Sequence, residues 1–540
     1  MVRPVPTAEG ATTAQPAGAA AASWARAHAH GLALAAVVLS GLLLRLYQIG
    51  AESYWFDEIY TLYDAARGVN AGIHRAGASL SSTGYLLLAG TWMRAFGTSE
   101  AATRTLSALC GVGCVAVVYE VGREWLDRRA GLIAAALLAF SEFQIYYAQD
   151  FRFYAPLLLL TLLSFLFFIR LIERGGAWNH LLYALSTLLA LYTHTHALFS
   201  ALAQGLYLLV RWRALGGATR RRLVMALAVV AAGAMPMVVA AAQSAFSAGS
   251  AGALGWIEEP TPSLVARTLY WYVLPLRHER SWTVMALTAA AAGGVLAVGV
   301  GLRIRRVGMR PWLGRLKELG DAPAALGRRW HEVSLLTLWG LCPIVAPFVL
   351  SKVVGPMYTE RYTIAASPAW YLLMALALRR VRRIVPLGVA LAALAVLILP
   401  GLAHYYAVDV KEQWREVAAH LEAEGRPGDV VILLPDDEGW LGRVLGWYYQ
   451  GALPRCSLTA DLEGAELVDA FRSCAAGRRR SWLIMRGPAW QLAGFREALL
   501  DAERSGLHLE PQGPFVRVSV YLSEGPVGEP ARVAGDGGAP

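Results

Sequence analysis

The chain has 540 residues, 56% of them hydrophobic and 16% charged, against roughly 45–50% apolar and about 25% charged in soluble globular domains. The apolar excess is gathered into long blocks, which excludes a single large soluble core and points to membrane spans. The formal net charge of +10 sits in short loops between those blocks, a topology signal rather than a nucleic-acid-binding patch, so no nucleic-acid partner is expected.

Residues 1–30, rich in Ala, Pro and Thr, read as a disordered cytoplasmic tail. The run from Gly31 to Ile49 is long enough to span, and no small-residue cleavage site follows it, so an uncleaved first helix is expected. Further spans are expected at 103–122, 130–148, 154–172, 181–194, 197–211, 223–243, 282–302, 333–351, 363–378 and 384–402, about 11 in all within a membrane domain over 31–402. The stretch Thr83–Phe96 is apolar but too short to cross, and belongs with interfacial helices at 51–100. With the N-terminus inside, the inner loops then hold Arg123, Arg128, Arg129, Arg170, Arg174, Arg211, Arg213, Arg220 to Arg222, Arg303 to Arg329 and Arg379 to Arg383, which meets the positive-inside rule. Counting Thr83–Phe96 as a span would put these clusters outside.

Beyond 403 the pattern changes. A helix is expected over Lys411–Glu424, a buried strand over Asp429–Leu434 stopped by Pro435, and a helix over Gly439–Tyr449. A strand at Trp482–Met485, a helix at Phe495–Arg504 and a strand at Val516–Leu522 complete a small extracytoplasmic α/β domain over 403–525, followed by a disordered tail at 526–540. Of the five cysteines, Cys110, Cys114 and Cys342 sit in apolar blocks as packing residues, while Cys456 and Cys474 fall in the outer domain, where a disulfide is open to them.

Four polar clusters fall at the outer edges of the spans. The first, Tyr54-Trp55-Phe56-Asp57-Glu58, sets two carboxylates beside aromatics, as a general base or metal ligand in a partly desolvated site would require; an aromatic belt with solvated acids is the plainer alternative. The second, Gln149-Asp150-Phe151-Arg152-Phe153-Tyr154, carries a carboxylate and a guanidinium, either functional or a local ion pair at a helix end. His194 and His196 lie at the turn of a broken helical pair, where they can ligate metal, contact phosphate or satisfy backbone; His-x-His alone falls short of the ligand set zinc usually takes. The fourth, Glu360-Arg361-Tyr362 followed by Pro368, puts a guanidinium at a span mouth, to snorkel or to grip a phosphate. There is no Walker loop, His-Glu-x-x-His or Gly-x-Ser-x-Gly motif, so the sequence does not support ATP-driven chemistry on the cytoplasmic face.

The order, spacing and shared face of these clusters resemble the GT-C membrane glycosyltransferases. The likeness is closer to the bacterial branch near the protein O-mannosyltransferases and lipid A aminoarabinose transferases. It runs from Leu43 to about Pro368 and is carried by Trp55-Phe56-Asp57-Glu58, Phe96-Gly97-Thr98-Ser99-Glu100-Ala101-Ala102-Thr103-Arg104, Gln149-Asp150-Phe151-Arg152-Phe153-Tyr154, Tyr192-Thr193-His194 and Glu360-Arg361-Tyr362. The resemblance implies a GT-C-like polytopic α-helical fold in the inner membrane and a polyprenyl-phosphate-linked sugar donor. It also implies transfer to a hydroxyl of protein, lipid or glycan. On matching positions it implies Asp57 as the catalytic acidic residue, Asp150 as a helper for acceptor or metal, and Arg361 as the lipid-phosphate ligand. The chemistry that follows has Asp57 as general base, with Glu58 or Asp150 orienting the acceptor or raising basicity. Arg361, with Arg152 or His194, neutralises the leaving phosphate, and Tyr154, His196 and Tyr362 complete the substrate-binding set. No cofactor is called for, and a divalent metal is left open. The alternative, a transporter or flippase of lipid-linked or amphipathic substrates, would place ionisable residues near the bilayer midplane in repeat-related broken helices; here the acids gather at one edge and no repeat is present. A sensor with a ligand-binding outer domain would leave the Asp57 and Asp150 loops without a purpose.

Overall fold

The structure is a computed structural model that describes residues 17–67, 82–247, 257, 259–274, 324–379, 384–436, 439–462, 464–487 and 508–524. Five described helices are long and apolar enough to cross a membrane: His28–Leu46, Glu100–Trp125, Tyr154–Glu173, Gly217–Val239 and His331–Val353. Ala197–Arg211 and Ala395–Ala407 are shorter apolar helices. These helices turn large apolar side chains outward, with Leu43 60% and Val229 56% exposed, which is tolerable against lipid and costly against water. Thr83–Phe96 is a single helix of 14 residues, below the length a span needs. The expected span at 282–302 lies outside the described residues.

Two expected spans are not continuous. The one at 130–148 is two helices, Arg128–Phe140 and Glu142–Ala148, bent by 63°. Ser141 adopts an extended conformation between them and its hydroxyl accepts from Gln144 N, capping the second helix. The buried guanidinium of Arg45 donates to Leu138 O and Ala139 O, satisfying carbonyls that the break releases. The one at 363–378 divides into a tight 3₁₀ segment, Glu360–Ala366, and a helix, Ser367–Leu378, whose first turn holds Pro368.

The bundle has two distinct ends. Tyr154–Glu173 has 20 residues, about 30 Å at 1.5 Å per residue. At its C-terminal end Arg170 and Arg174 converge on Glu124, joined by Arg123, while Arg379 bridges Asp127, three residues beyond Glu124, and Glu332. At its N-terminal end lies the 149–153 loop.

The C-terminal region forms a five-stranded sheet of order β2-β1-β3-β5-β4. Its strands are β1 (Val430–Leu434), β2 (Arg455–Ser457), β3 (Arg480–Arg486), β4 (Glu510–Phe515) and β5 (Val518–Glu524). β1 pairs parallel with β2 and β3, and β5 runs antiparallel to β3 and β4. All five residues of β1 are buried, as its continuous apolar run requires. Cys456 on β2 and Cys474 on the Gly464–Ala475 helix are joined by a disulfide. The helix expected from Lys411 begins only at Trp414, because Lys411 is drawn to Glu58 and Asp150 and Glu412 to Phe56 N. The helix expected at Phe495–Arg504 lies outside the described residues.

This sheet domain grips the first loop of the membrane domain. Tyr448 Oη accepts from Tyr54 N at 2.7 Å and donates to Glu100 at 2.7 Å. Trp447 packs edge-on against Tyr54 and Tyr63, and Trp440 lies 4.5 Å from Tyr60.

Candidate active site

The helix Phe56–Ala66 starts a few residues after the first membrane helix and carries Asp57 and Glu58 in its first turn, where the helix dipole favours negative charge. Consecutive helical residues point about 100° apart, so the two acids go to different places. Glu58 turns inward and is fully buried. It reaches back to Trp55 N at 3.3 Å, accepts from Phe151 N at 2.7 Å and from Arg104 at 2.7 and 2.8 Å, and pairs with Lys411 at 3.1 Å. The remaining Arg104 donors go to Ile49 O, Glu52 O and Ser53 O, which locks the loop behind the first helix. Burial alone would raise the Glu58 carboxyl, but Arg104 and Lys411 outweigh it and hold it well below the usual range.

Asp57 turns the other way and keeps 20% of its side chain exposed. Its Oδ2 receives Arg361 at 3.2 Å and lies 3.9 Å from Arg152. Burial pushes its pKa up, yet the guanidiniums of Arg152, Arg361 and Arg486 together hold it below the ordinary value. Arg152 also donates to Asp57 O at 2.9 Å and to Thr61 at 2.8 Å. The local Asp150–Arg152 pair considered from sequence therefore gives way to a pair across two loops. Arg361 stands over the rings of Trp55 and Tyr362, at 5.8 and 5.5 Å.

Asp150 lies behind this pair rather than in it. It is fully buried, takes a 2.7 Å hydrogen bond from Trp55 Nε1 and sits 3.6 Å from Lys411. Burial outweighs the Lys411 ammonium and, with the charge of Glu58, raises its carboxyl above the usual range. Glu58 and Asp150, expected to orient the acceptor or raise the basicity of Asp57, are both enclosed in a cluster whose four charges, with Arg104 and Lys411, cancel.

Aromatic residues close the remaining side. Phe153 stacks on His194 at 4.2 Å, and Tyr362 lies 4.6 Å from His194, 4.9 Å from His196 and 6.5 Å from Tyr154. Burial pushes the His196 imidazole down to about 4, so it is neutral at pH 7. Tyr154 Oη, Tyr85 Oη and Arg152 Nε are buried with no hydrogen-bond partner among the described residues, unusual for polar atoms in a folded interior. Among the described residues no three His, Cys, Asp or Glu side chains are grouped to hold a metal ion.

The nine residues singled out from sequence therefore lie in one region, six around the partly exposed Asp57 and two, Glu58 and Asp150, directly behind it. Sequence reasoning gave no role to Arg104, Lys411, Glu412 and Tyr448. Arg104 had a usable signal, a charge at the entry of an apolar span; Lys411 had none, since its contacts come from loops that precede it by more than 250 residues.

Residues 84–240 match the family described as dolichyl-phosphate-mannose-protein mannosyltransferase. Among solved structures, the crystal structure of ArnT from Cupriavidus metallidurans bound to undecaprenyl phosphate superposes with a TM-score of 0.50 at 14% identity, covering 92% of this chain and 98% of that one. The archaeal oligosaccharyltransferase AglB from Archaeoglobus fulgidus, in complex with an inhibitory peptide and a dolichol-phosphate, gives 0.54 at 13% identity over 92% of this chain and 75% of its own. No curated protein sequence matches. The likeness is one of fold: the chain has the fold of the GT-C glycosyltransferases, and the segment 84–240 that matches the mannosyltransferase family contains Arg104, Asp150, Arg152, Tyr154, His194 and His196.

Proposed function

We propose that this protein is a glycosyltransferase that moves a sugar from a polyprenyl-phosphate donor to an acceptor hydroxyl at the extracytoplasmic face of the inner membrane. The observation that carries the reading is the convergence of two guanidiniums, Arg361 and Arg152, on the single partly exposed carboxylate Asp57. One carboxylate and two guanidiniums leave a surplus positive charge, which suits a phosphate. The fold relatives were solved with undecaprenyl phosphate and dolichol-phosphate, and a polyprenyl-phosphate donor is the ligand class this chemistry favours.

In the proposed step the acceptor oxygen attacks the anomeric carbon as the bond from that carbon to the phosphate oxygen breaks. The electron pair leaves on the polyprenyl phosphate, where Arg361 and Arg152 neutralise it, and the acceptor proton passes to Asp57. Without donor, Asp57 is tied to Arg361 and is a weak base. A phosphate that draws Arg361 to itself loosens that pair and raises the basicity of Asp57, so donor binding arms the base. Tyr154 Oη and the His194–His196 turn supply donors beside the phosphate, and the rings of Tyr362 and Trp55 flank the Arg361 guanidinium. An arrangement of about 11 spans with the N-terminus inside sets this site outside, and the Arg123–Arg170–Arg174 cluster at the far end of Tyr154–Glu173 supports that orientation.

The test is to incubate purified protein with a panel of polyprenyl-phosphate sugars and measure released polyprenyl phosphate. Wild type releases it with at least one donor, and Asp57→Asn, still folded, is slower by about 10²–10⁴-fold. Retained activity in purified Asp57→Asn would reject the assignment.

A further inference from the structure

The segment Asp409–Gln413, between the last apolar helix and the sheet domain, threads into the core behind Asp57. Lys411 is the residue it delivers there. The residue is 3% exposed, and its ammonium meets Glu58 at 3.1 Å, Asp150 at 3.6 Å and Gln149 O at 2.8 Å. Glu412 faces the same loop: it accepts from Phe56 N at 2.9 Å and from Trp414 at 2.7 Å, its carbonyl accepts from Ser53 at 2.6 Å, and Arg486 of β3 pairs with it at 2.8 Å.

Each of these contacts lies one step from the site. Glu58 adjoins Asp57 on the same helix turn. Asp150 holds the indole of Trp55, over which Arg361 stands, and the Asp150 loop carries Arg152. A lysine buried this deeply is costly unless paired, and its two partners come from the two loops that must be in register for Arg152 to meet Asp57.

Resting on the transferase reading, we propose that Lys411 is a positioning residue for the transfer step. It touches no substrate; it ties the first and second outer loops together by pairing with Glu58 and Asp150 at once, and so sets the distance from Asp57 to Arg152 and the seat of the Trp55 ring under Arg361. The sheet domain, through Glu412 and Arg486, is the anchor that keeps this lysine in place.

The experiment uses the full chain as Lys411→Met, Lys411→Arg, Asp150→Asn and the double variant Lys411→Met/Asp150→Asn, with thermal unfolding and polyprenyl-phosphate release both measured. Lys411→Met is expected to lower kcat by about 30-fold with the donor KM within about threefold, since Arg361 remains to hold the phosphate. The double variant, which removes the uncompensated carboxylate together with the lysine, recovers about 10-fold or more of that loss and raises the melting temperature above that of Lys411→Met. Lys411→Arg, which keeps the charge, stays closer to wild type than Lys411→Met. Strictly additive effects in both measurements, or a Lys411→Met enzyme within threefold of wild type, overturn the proposal. A wild-type chain that releases no phosphate from any donor, while the melting cycle still shows coupling, overturns the transferase reading and leaves the tie between the loops standing.

Discussion

Asp57 and Glu58 are neighbours in sequence with the same functional group, yet they belong to two different regions of the molecule. The inner region is Glu58, Arg104, Asp150 and Lys411, a closed set of two anions and two cations with exposures of 0–3%. The outer region is Asp57, Arg152 and Arg361, each 15–21% exposed at the side chain and one charge short of neutrality. The inner cluster spends every charge on its own members and is suited to hold loops in register. The outer cluster has a guanidinium to offer a ligand. The lesson is that burial and charge count, rather than residue type, separate the framework of a site from its working face.

The difference is sharpest when the two acids are neutralised in turn. Glu58→Gln leaves Arg104 and Lys411 buried with less than their share of negative charge, and is expected to cost about 3–5 kcal/mol of stability, read as a lowered melting temperature. Asp57→Asn is expected to lower the melting temperature by much less while slowing transfer by about 10²–10⁴-fold. If the two variants melt alike, the division into framework and working face is broken.

A smaller effect is expected from Arg361→Gln, which removes one guanidinium from the outer cluster and should slow release of polyprenyl phosphate by about 10²–10³-fold. The smallest is a shift in acid sensitivity. Asp57 has a lowered pKa in the fold, so it stays ionised below the usual carboxylate value of about 3.9 and is lost as base only as pH falls through its own lower value. Removing Arg361 takes away part of what holds that value down, so the acid limb of the residual activity of Arg361→Gln should move to higher pH. An acid limb that stays in place would detach Arg361 from Asp57 in solution.

Much of this site is legible in the sequence, because each loop advertises its chemistry locally. Asp57, Arg152, His194 and Arg361 each sit where an apolar run ends, and a polar group at that position signals either water or function. What periodicity does not encode is direction. Nothing in Trp55-Phe56-Asp57-Glu58 says that the second acid faces a buried arginine 46 residues on. Nor does a run such as 130–148 reveal its bend, since Ser141 is unremarkable inside an apolar stretch and the arginine that caps the broken end lies on another helix. Lys411 reads as the start of an amphipathic helix because its neighbours have helical spacing; its burial comes from loops far away in the chain. In the sheet domain, β1 is plain from its apolar run, whereas β2 has only three residues, β4 is largely exposed and contains Pro and Gly, and neither has such a pattern.

The central claim is that Asp57 and a lipid phosphate compete for the same guanidinium, and binding of undecaprenyl phosphate to the purified wild-type, Asp57→Asn and Arg361→Gln chains tests it most directly. The account predicts tighter binding to Asp57→Asn than to wild type, because the competing carboxylate is gone, and weaker binding to Arg361→Gln. Weaker binding to Asp57→Asn, or equal binding to wild type and Arg361→Gln, would contradict it.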